Sequence, residues 1–259
     1  MKDLEGKIVL VTGAGRGIGR AIALAFASHG SRIVVVGRTQ ETLDAVAEEI
    51  RRHGAEVLPR VCDVTEKPAI EKLRQEIADR FGTVQVLVNN AGIAPAAGFL
   101  EMPDRLWEEV LRVNLTGTYN CCKVFLADMV TVKWGRIINI ASTVAKVAYS
   151  HISAYATSKH AVLGLTRALA VETAKSGVTV NAVCPGYVGT ELTQRNALLI
   201  AQRRGRSLED GLQTFASTSP QKRLIEPEEV ADLTVMLASE SAKGITGQAI
   251  NVDGGAVMV

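Results

Sequence analysis

The chain has 259 residues, 47% of them hydrophobic, and 29 Lys and Arg against 27 Asp and Glu, for a formal net charge of +2. Mixed charge this close to balance carries no basic footprint for nucleic acid. No apolar run approaches the roughly 18 residues of a membrane helix, and the N-terminus runs straight into a strand pattern, so neither a transmembrane segment nor a signal peptide is expected.

Strand and helix patterns then alternate from residue 7 to 252 without a break in composition, which predicts one α/β domain spanning 1–259. Residues 7–12, K-I-V-L-V-T, read as a buried strand. T-G-A-G-R-G-I-G follows, then an apolar helix closed by Gly30. Strand, glycine turn and helix are the layout of a dinucleotide site, where backbone N–H groups at a helix start favour a pyrophosphate. The spacing is G-x-x-x-G-x-G on Gly13, Gly17 and Gly19, with Ile18 where G-x-G-x-x-G would place its last glycine. The second strand, 32–36, ends in Gly37-Arg38-Thr39. An NAD site is expected to have an acidic residue about 20 residues past the glycines. Here there is none, while Arg16 and Arg38 offer two guanidiniums suited to a 2′-phosphate, so NADP(H) is favoured over NAD(H).

Helices are expected over 40–52, 66–81, 104–129 and 154–176, and strands over 56–61, 84–89, 136–141, 178–184 and 248–252. Such βαβ spacing predicts a doubly wound parallel sheet of about seven strands with helices on both faces, with ligands at the carboxyl ends of the strands. Asn89, Ser142 and Pro185 fall at such ends. Residues 191–219 read as two short amphipathic helices broken at Gly205, placed to act as a substrate lid. Cys62, Cys121, Cys122 and Cys184 form no C-x-x-C, and the four histidines show no H-x-x-x-H spacing. Reduced thiols in a cytoplasmic protein and no metal are the expectation. Of the histidines, His160 stands beside Lys159 but points elsewhere on its helix, and His151 is within reach of the site loop.

Tyr155 and Lys159 stand four apart in Y-A-T-S-K, 13 residues after Ser142. On a helix they share a face. A free tyrosine, with a pKa of about 10, is a poor acid or base at neutral pH. A cation beside it is expected to lower that value and give a general acid/base for a carbonyl or hydroxyl, with Ser142 bonding the same oxygen.

Together these pieces resemble the short-chain dehydrogenase/reductase family over nearly the whole chain, from about Gly6 to Gly255. The resemblance rests on T-G-A-G-R-G-I-G, Asp63-Val64, N-N-A-G at Asn89 to Gly92, Asn114 in R-V-N-L-T-G, Ser142, Tyr155, Lys159 and P-G-Y-V-G-T from Pro185 to Thr190. It implies that Asp63 bonds the adenine amine and Val64 lines that pocket. Asn90, Ala91 and Gly92 would back the adenine ribose. Asn114 would bind the backbone of the helix after its strand and order a water leading to Lys159, which would also grip the nicotinamide ribose. Ser142 would orient the substrate oxygen and Tyr155 would transfer the proton. Pro185, Gly186, Val188 and Thr190 would lie along the nicotinamide.

The lid length and V-N-A-V-C-P-G are similar to 3-hydroxybutyrate dehydrogenases and polyketide ketoreductases. The function implied is NADPH-dependent reduction of a ketone, first a 3-oxoacyl thioester or other β-keto compound. The alternatives are an NAD-linked dehydrogenase of a small hydroxy acid or alcohol and a non-catalytic NADP-binding regulator. A homotetramer is expected from the family. Apolar residues on several faces of 104–129 and 154–176 (Leu115, Val124, Phe125, Leu163, Leu165) and the apolar tail agree with that.

Overall fold

The computed structural model describes residues 2–203 and 205–259. Seven strands form one parallel sheet in the order β3-β2-β1-β4-β5-β6-β7: β1 (Ile8–Thr12), β2 (Arg32–Gly37), β3 (Val57–Val61), β4 (Val86–Asn89), β5 (Gly135–Ile140), β6 (Val178–Pro185) and β7 (Ala249–Val252). The reversal of strand order falls between β1 and β4, so a crevice opens at their carboxyl ends.

Period-two alternation explains why the central strands are apolar throughout. Val9 and Val11 of β1, with Ile33 and Val35 of β2, enter one core. Ile8, Leu10, Val34 and Val36 enter the other. The first core is closed by α1 (Gly17–Ser28), α2 (Gln40–Arg52) and α9 (Pro227–Ala238). The second is closed by α3 (Lys67–Arg80) and α5 (Gly117–Thr131). In α3 the buried residues Ile70, Leu73 and Ile77 fall on one helical stripe. Each contributes about 1.5–3 kcal/mol by leaving water, so a charge at Leu73 would undock the helix.

Three differences from the sequence expectations have physical causes. The helix expected over 104–129 is α4 (Asp104–Leu111), a π-turn at Arg112–Thr116, and α5. Such a bulge adds a residue to the turn and re-aims a side chain, here Asn114. The helix expected over 154–176 is α6 (Ser153–Glu172). It stops early, with Thr173 as its C-cap and Gly177 turning the chain into β6 at φ +75°. Helix α9 is not among the helices expected above, although Pro227 in the first turn and a reciprocal Glu226–Glu229 capping box mark its start.

The region after β6 is α7 (Glu191–Arg203) and α8 (Leu208–Ala216), with Gly205 at φ +63° between them. Arg204, within the expected lid, lies outside the described residues. Of the residues expected to face a second copy, Val124, Phe125 and Leu163 are buried in the chain's own cores, while Leu115 and Leu165 are half-buried. The exposed apolar residues on these helices are Tyr119, Val130 and Val171. All four cysteines are free and buried. Among the described residues no helix is long and apolar enough to cross a membrane.

Candidate active site

The glycine turn is pinned to the end of β4 by two polar side chains. The Thr12 hydroxyl accepts from Asn90 N and Ala91 N, both at 3.0 Å. Asn90 Nδ2 donates to the carbonyls of Thr12 (2.9 Å) and Gly13 (3.1 Å). Gly13 lies at φ +65°, and a Cβ there would come within 2.9 Å of Ala91 Cα. A Cβ on Gly19 would overlap the Gly13 carbonyl oxygen. Only glycine allows this approach of turn, helix and β4. Helix α1 then opens with no side-chain cap and no acidic residue in its first turn, so its free N–H groups face the crevice uncompensated, as a phosphate site requires.

The arginines expected to converge have separate partners. Arg16 Nη1 contacts Glu191 Oε2 at 3.3 Å, bridging the glycine turn to the first residue of α7. Arg38 is exposed past β2, and its charge acts on Asp63. Asp63 Oδ1 accepts from Thr65 N at 2.9 Å. Burial opposes the Asp63 charge, but the bonds from Thr65 together with the charges of Arg112 and Arg38 outweigh it and the carboxyl sits below its usual value. Val64 is buried against Gly117 of α5.

Across the crevice, Ser142 lies two residues past β5 and caps a short 3₁₀ turn, accepting from Val144 N at 3.3 Å. Tyr155 and Lys159 stand on α6, with Nζ 5.8 Å from the phenol ring centre. Lys159 is 5% exposed and donates to the Ile140 carbonyl at 2.7 Å. Burial lowers its pKa to about 8.

Tyr155 departs from expectation. Burial pushes its phenol up to about 12, against the opposing hydrogen bond with Ser142. The ammonium faces a carbonyl at the end of β5, and desolvation of the half-buried phenol outweighs the lowering expected from a neighbouring cation. At neutral pH Tyr155 is a phenol with a proton to give.

Asn114 is 1% exposed, which excludes a surface amide. Its Oδ1 accepts from Ile93 N at 2.8 Å, and Nδ2 donates to Ile93 O at 2.9 Å and Ser158 Oγ at 3.0 Å. It therefore holds the loop after β4, not the backbone of a helix as expected. A Cβ on Gly92 would lie 3.2 Å from Asn114 Oδ1 and 3.7 Å from Lys159 Nζ, so the loop, the amide and the ammonium converge there.

Pro185 ends β6, Gly186 N donates to Val252 O at 3.0 Å, and buried Val188 bridges to Ile225. Thr190 heads α7, its hydroxyl 3.4 Å from Thr193 N. His151 is exposed at φ +66°, and its carbonyl accepts from Ala97 N at 2.8 Å, so its backbone rather than its ring shapes the loop.

Sequence reasoning missed three contributors. Thr12 is visible only as the strand-ending threonine before the glycines. Ser158 shares the Tyr155 face at i+3 and links Asn114 to the Tyr155 carbonyl, which its hydroxyl meets at 2.7 Å. Asn139 joins β4 to α6, accepting from Asn89 and donating to Thr166, both at 2.9 Å. Among the described residues no cluster of His, Cys, Asp and Glu could hold a metal.

Known proteins share this arrangement. The family model "short chain dehydrogenase" matches residues 7–198. A 3-oxoacyl-[acyl-carrier-protein] reductase of Aquifex aeolicus is 41% identical over 258 residues, covering 97% of this chain and 98% of that protein. The crystal structure of a tryptophan variant of actinorhodin polyketide ketoreductase with NADPH superposes with a TM-score of 0.94 at 39% identity, covering 99% of both chains. That of an NAD⁺-bound xylitol dehydrogenase gives 0.93 at 31%, covering 98% of this chain and 100% of the other. The chain belongs to the short chain dehydrogenase family, nicotinamide-dependent oxidoreductases that act on the CH–OH/C=O couple.

Proposed function

We propose that the protein is an NADPH-dependent ketoreductase that turns a 3-oxoacyl thioester or a related β-keto compound into the secondary alcohol. The observation that carries this is the grouping of Ser142, Tyr155 and Lys159 at the strand ends that the glycine turn faces, with Ser142 hydrogen-bonded to the phenol and Lys159 Nζ 5.8 Å from its ring. A reductase needs a donor for the oxygen that gains negative charge, and a phenol pushed up to about 12 keeps its proton until that charge develops. The dinucleotide supplies the hydride when bound. The uncapped start of α1 and the glycine approach at Gly13 and Gly19 fit its pyrophosphate.

Ser142 fixes the carbonyl oxygen by a hydrogen bond and Tyr155 gives it a proton. Lys159, on the Tyr155 face of α6, stabilises the phenolate left behind and binds ribose hydroxyls. Asn114 positions Lys159 through the Ile93 loop and Ser158. Asp63, Val64, Asn90, Ala91 and Gly92 hold the adenosine half, and Pro185, Gly186, Val188 and Thr190 the nicotinamide half. Arg38 reads the 2′-phosphate, joined by Arg16 when it leaves Glu191. Helices α7 and α8 act as the lid over the substrate. The working unit is a homotetramer, with Tyr119, Val130 and Val171 available for its contacts.

Supporting the substrate and cofactor are the reductase of Aquifex aeolicus and the NADPH-bound ketoreductase. The xylitol dehydrogenase likeness favours the NAD-linked alternative. Initial rates with a panel of β-keto thioesters, ketones and hydroxy acids, each with both cofactors, test the reading. NADPH oxidation driven by a β-keto substrate supports it. Turnover confined to NAD⁺ and an alcohol overturns it in favour of the dehydrogenase, and nucleotide binding without any turnover in favour of a regulator.

A further inference from the structure

Strand β3 is an edge strand paired with β2, so the turn after it, residues 62–66, has strand support on one side. On that side Cys62 N donates to Gly37 O at 2.9 Å, next to Arg38. Within the turn, Glu66 N donates to Asp63 O at 3.0 Å and Thr65 N to Asp63 Oδ1 at 2.9 Å. These two bonds fold Asp63 over its own turn, as short acidic side chains do. The remaining carbonyls of the turn still need partners, and its outer side needs support.

The π-turn and α5 supply both. Asn120, 5% exposed, donates from Nδ2 to Val64 O at 3.1 Å and to Thr65 O at 3.4 Å. Arg112 donates from Nη1 to Thr65 Oγ1 at 2.5 Å, and the same nitrogen lies 4.0 Å from Glu66 Oε1. A Cβ on Gly117 would come within 2.6 Å of Val64 Cγ2, so α5 lies directly against Val64. Asn114 stands between Arg112 and Asn120 and holds the Ile93 loop. One continuous helical segment therefore fixes both the Asp63 turn and the loop that approaches Lys159.

The turn presents a carboxylate with capacity to spare. Burial opposes the Asp63 charge, and the guanidiniums of Arg112 and Arg38 both favour it. Thr65 N occupies one position on Oδ1, while an ionised carboxylate accepts about four hydrogen bonds. A turn already held in its binding shape loses less freedom when a base arrives than one that must be ordered by it.

Resting on the assignment of the adenosine half to Asp63 and Val64 above, we infer that Asn120 and Arg112 are positioning residues of the adenosine site. They act through the turn, Asn120 from beneath on its carbonyls and Arg112 from outside on Thr65. The clamp serves the base and not the 2′-phosphate, so it supports both dinucleotides equally.

The test is binding to the full-length protein, with NADPH and NADH titrated by fluorescence and 2′,5′-ADP by calorimetry. Asn120→Leu removes the donor from buried carbonyls and should weaken all three ligands about tenfold. Arg112→Met should weaken all three about threefold, and Arg112→Lys, which keeps the charge and a donor, should recover most of that loss. Arg112 is exposed, so Arg112→Met should unfold at the same urea concentration as the wild type. If Asn120→Leu does not fold, the two Arg112 variants decide alone. Unchanged affinities in Arg112→Met and in a folded Asn120→Leu overturn the inference. So do losses confined to NADPH and 2′,5′-ADP, which would make Arg112 a phosphate reader, and losses that spare 2′,5′-ADP, which would place the effect at the nicotinamide half. The ketoreductase reading fails separately, because these titrations contain no ketone. A wild type that binds neither dinucleotide overturns both.

Discussion

Lys159→Met measures what it costs to hold an ammonium in the floor of the site. The wild-type side chain is 5% exposed, and burial lowers its pKa from 10.5 to about 8. Between those values the unfolded chain binds a proton that the native protein does not, so stability rises with pH across that window. Below about pH 8 both states are protonated and the full cost remains, roughly 3 kcal/mol for a gap of about 2.5 pH units.

Raising the pH from about 7 to about 9.5 should therefore return about 2 kcal/mol to the wild type. Methionine keeps the chain length and removes the charge. It also forfeits the 2.7 Å bond to the Ile140 carbonyl, worth about 1 kcal/mol, or up to about 3 if that carbonyl is left unpaired. Near neutral pH gain and loss almost offset, so one melting temperature decides nothing. The discriminating quantity is the wild-type-minus-variant stability, which should grow by about 2 kcal/mol between the two pH values. Urea denaturation followed by circular dichroism, without nucleotide, measures it. Every other group titrates alike in both proteins and cancels. A difference that does not change with pH would refute the buried, destabilised ammonium.

Tyr155→Phe removes the proton donor and little else, so turnover should fall about 10²–10⁴-fold while NADPH still binds; near-normal rates in stopped-flow hydride transfer would remove Tyr155 from the mechanism. Alcohol oxidation, which needs the phenolate, should rise with pH throughout the alkaline range because the phenol sits near 12; a plateau starting near neutrality in the oxidative rate would contradict that. Asn114→Ala leaves the N–H and carbonyl of Ile93 without their buried partner, and should cost about 2–4 kcal/mol in urea denaturation. Loss below about 1 kcal/mol would mean the loop re-pairs. Arg38→Ala should lower kcat/KM for NADPH about ten- to hundredfold and leave NADH nearly unchanged, because a charge-assisted bond to phosphate is worth about 1.5–3 kcal/mol. Equal losses with both cofactors would show that Arg38 does not read the phosphate.

The nucleotide half of the fold was legible because its signals are local. Valine and isoleucine runs, a strand-ending threonine and three glycines lie within about a dozen residues, and each answers to backbone sterics. The Tyr155–Lys159 pair was legible for the same reason, since helical spacing alone puts both on one face. Four facts were not legible there. Lys159 is aimed at Ile140 by a strand-to-helix approach across 19 residues of chain. Arg16 reaches Glu191 across 175 residues. The π-turn that aims Asn114 is one extra residue inside a continuous helix, invisible to periodicity. Val124, Phe125 and Leu163, which a helical wheel offers to a second copy, are taken up by the chain's own cores.

The sequence by itself determined the family and the doubly wound parallel sheet, because these depend on residue type and short spacing. Tertiary structure alone decided what surrounds Tyr155, Lys159 and Asn114. Whether Tyr155 holds or sheds its proton depends on how much water and which charges surround it, and Lys159 meets the Ile140 carbonyl only once β5 and α6 are packed together. Desolvation and charge pairing are properties of a neighbourhood in space, and no local stretch of this chain encodes them.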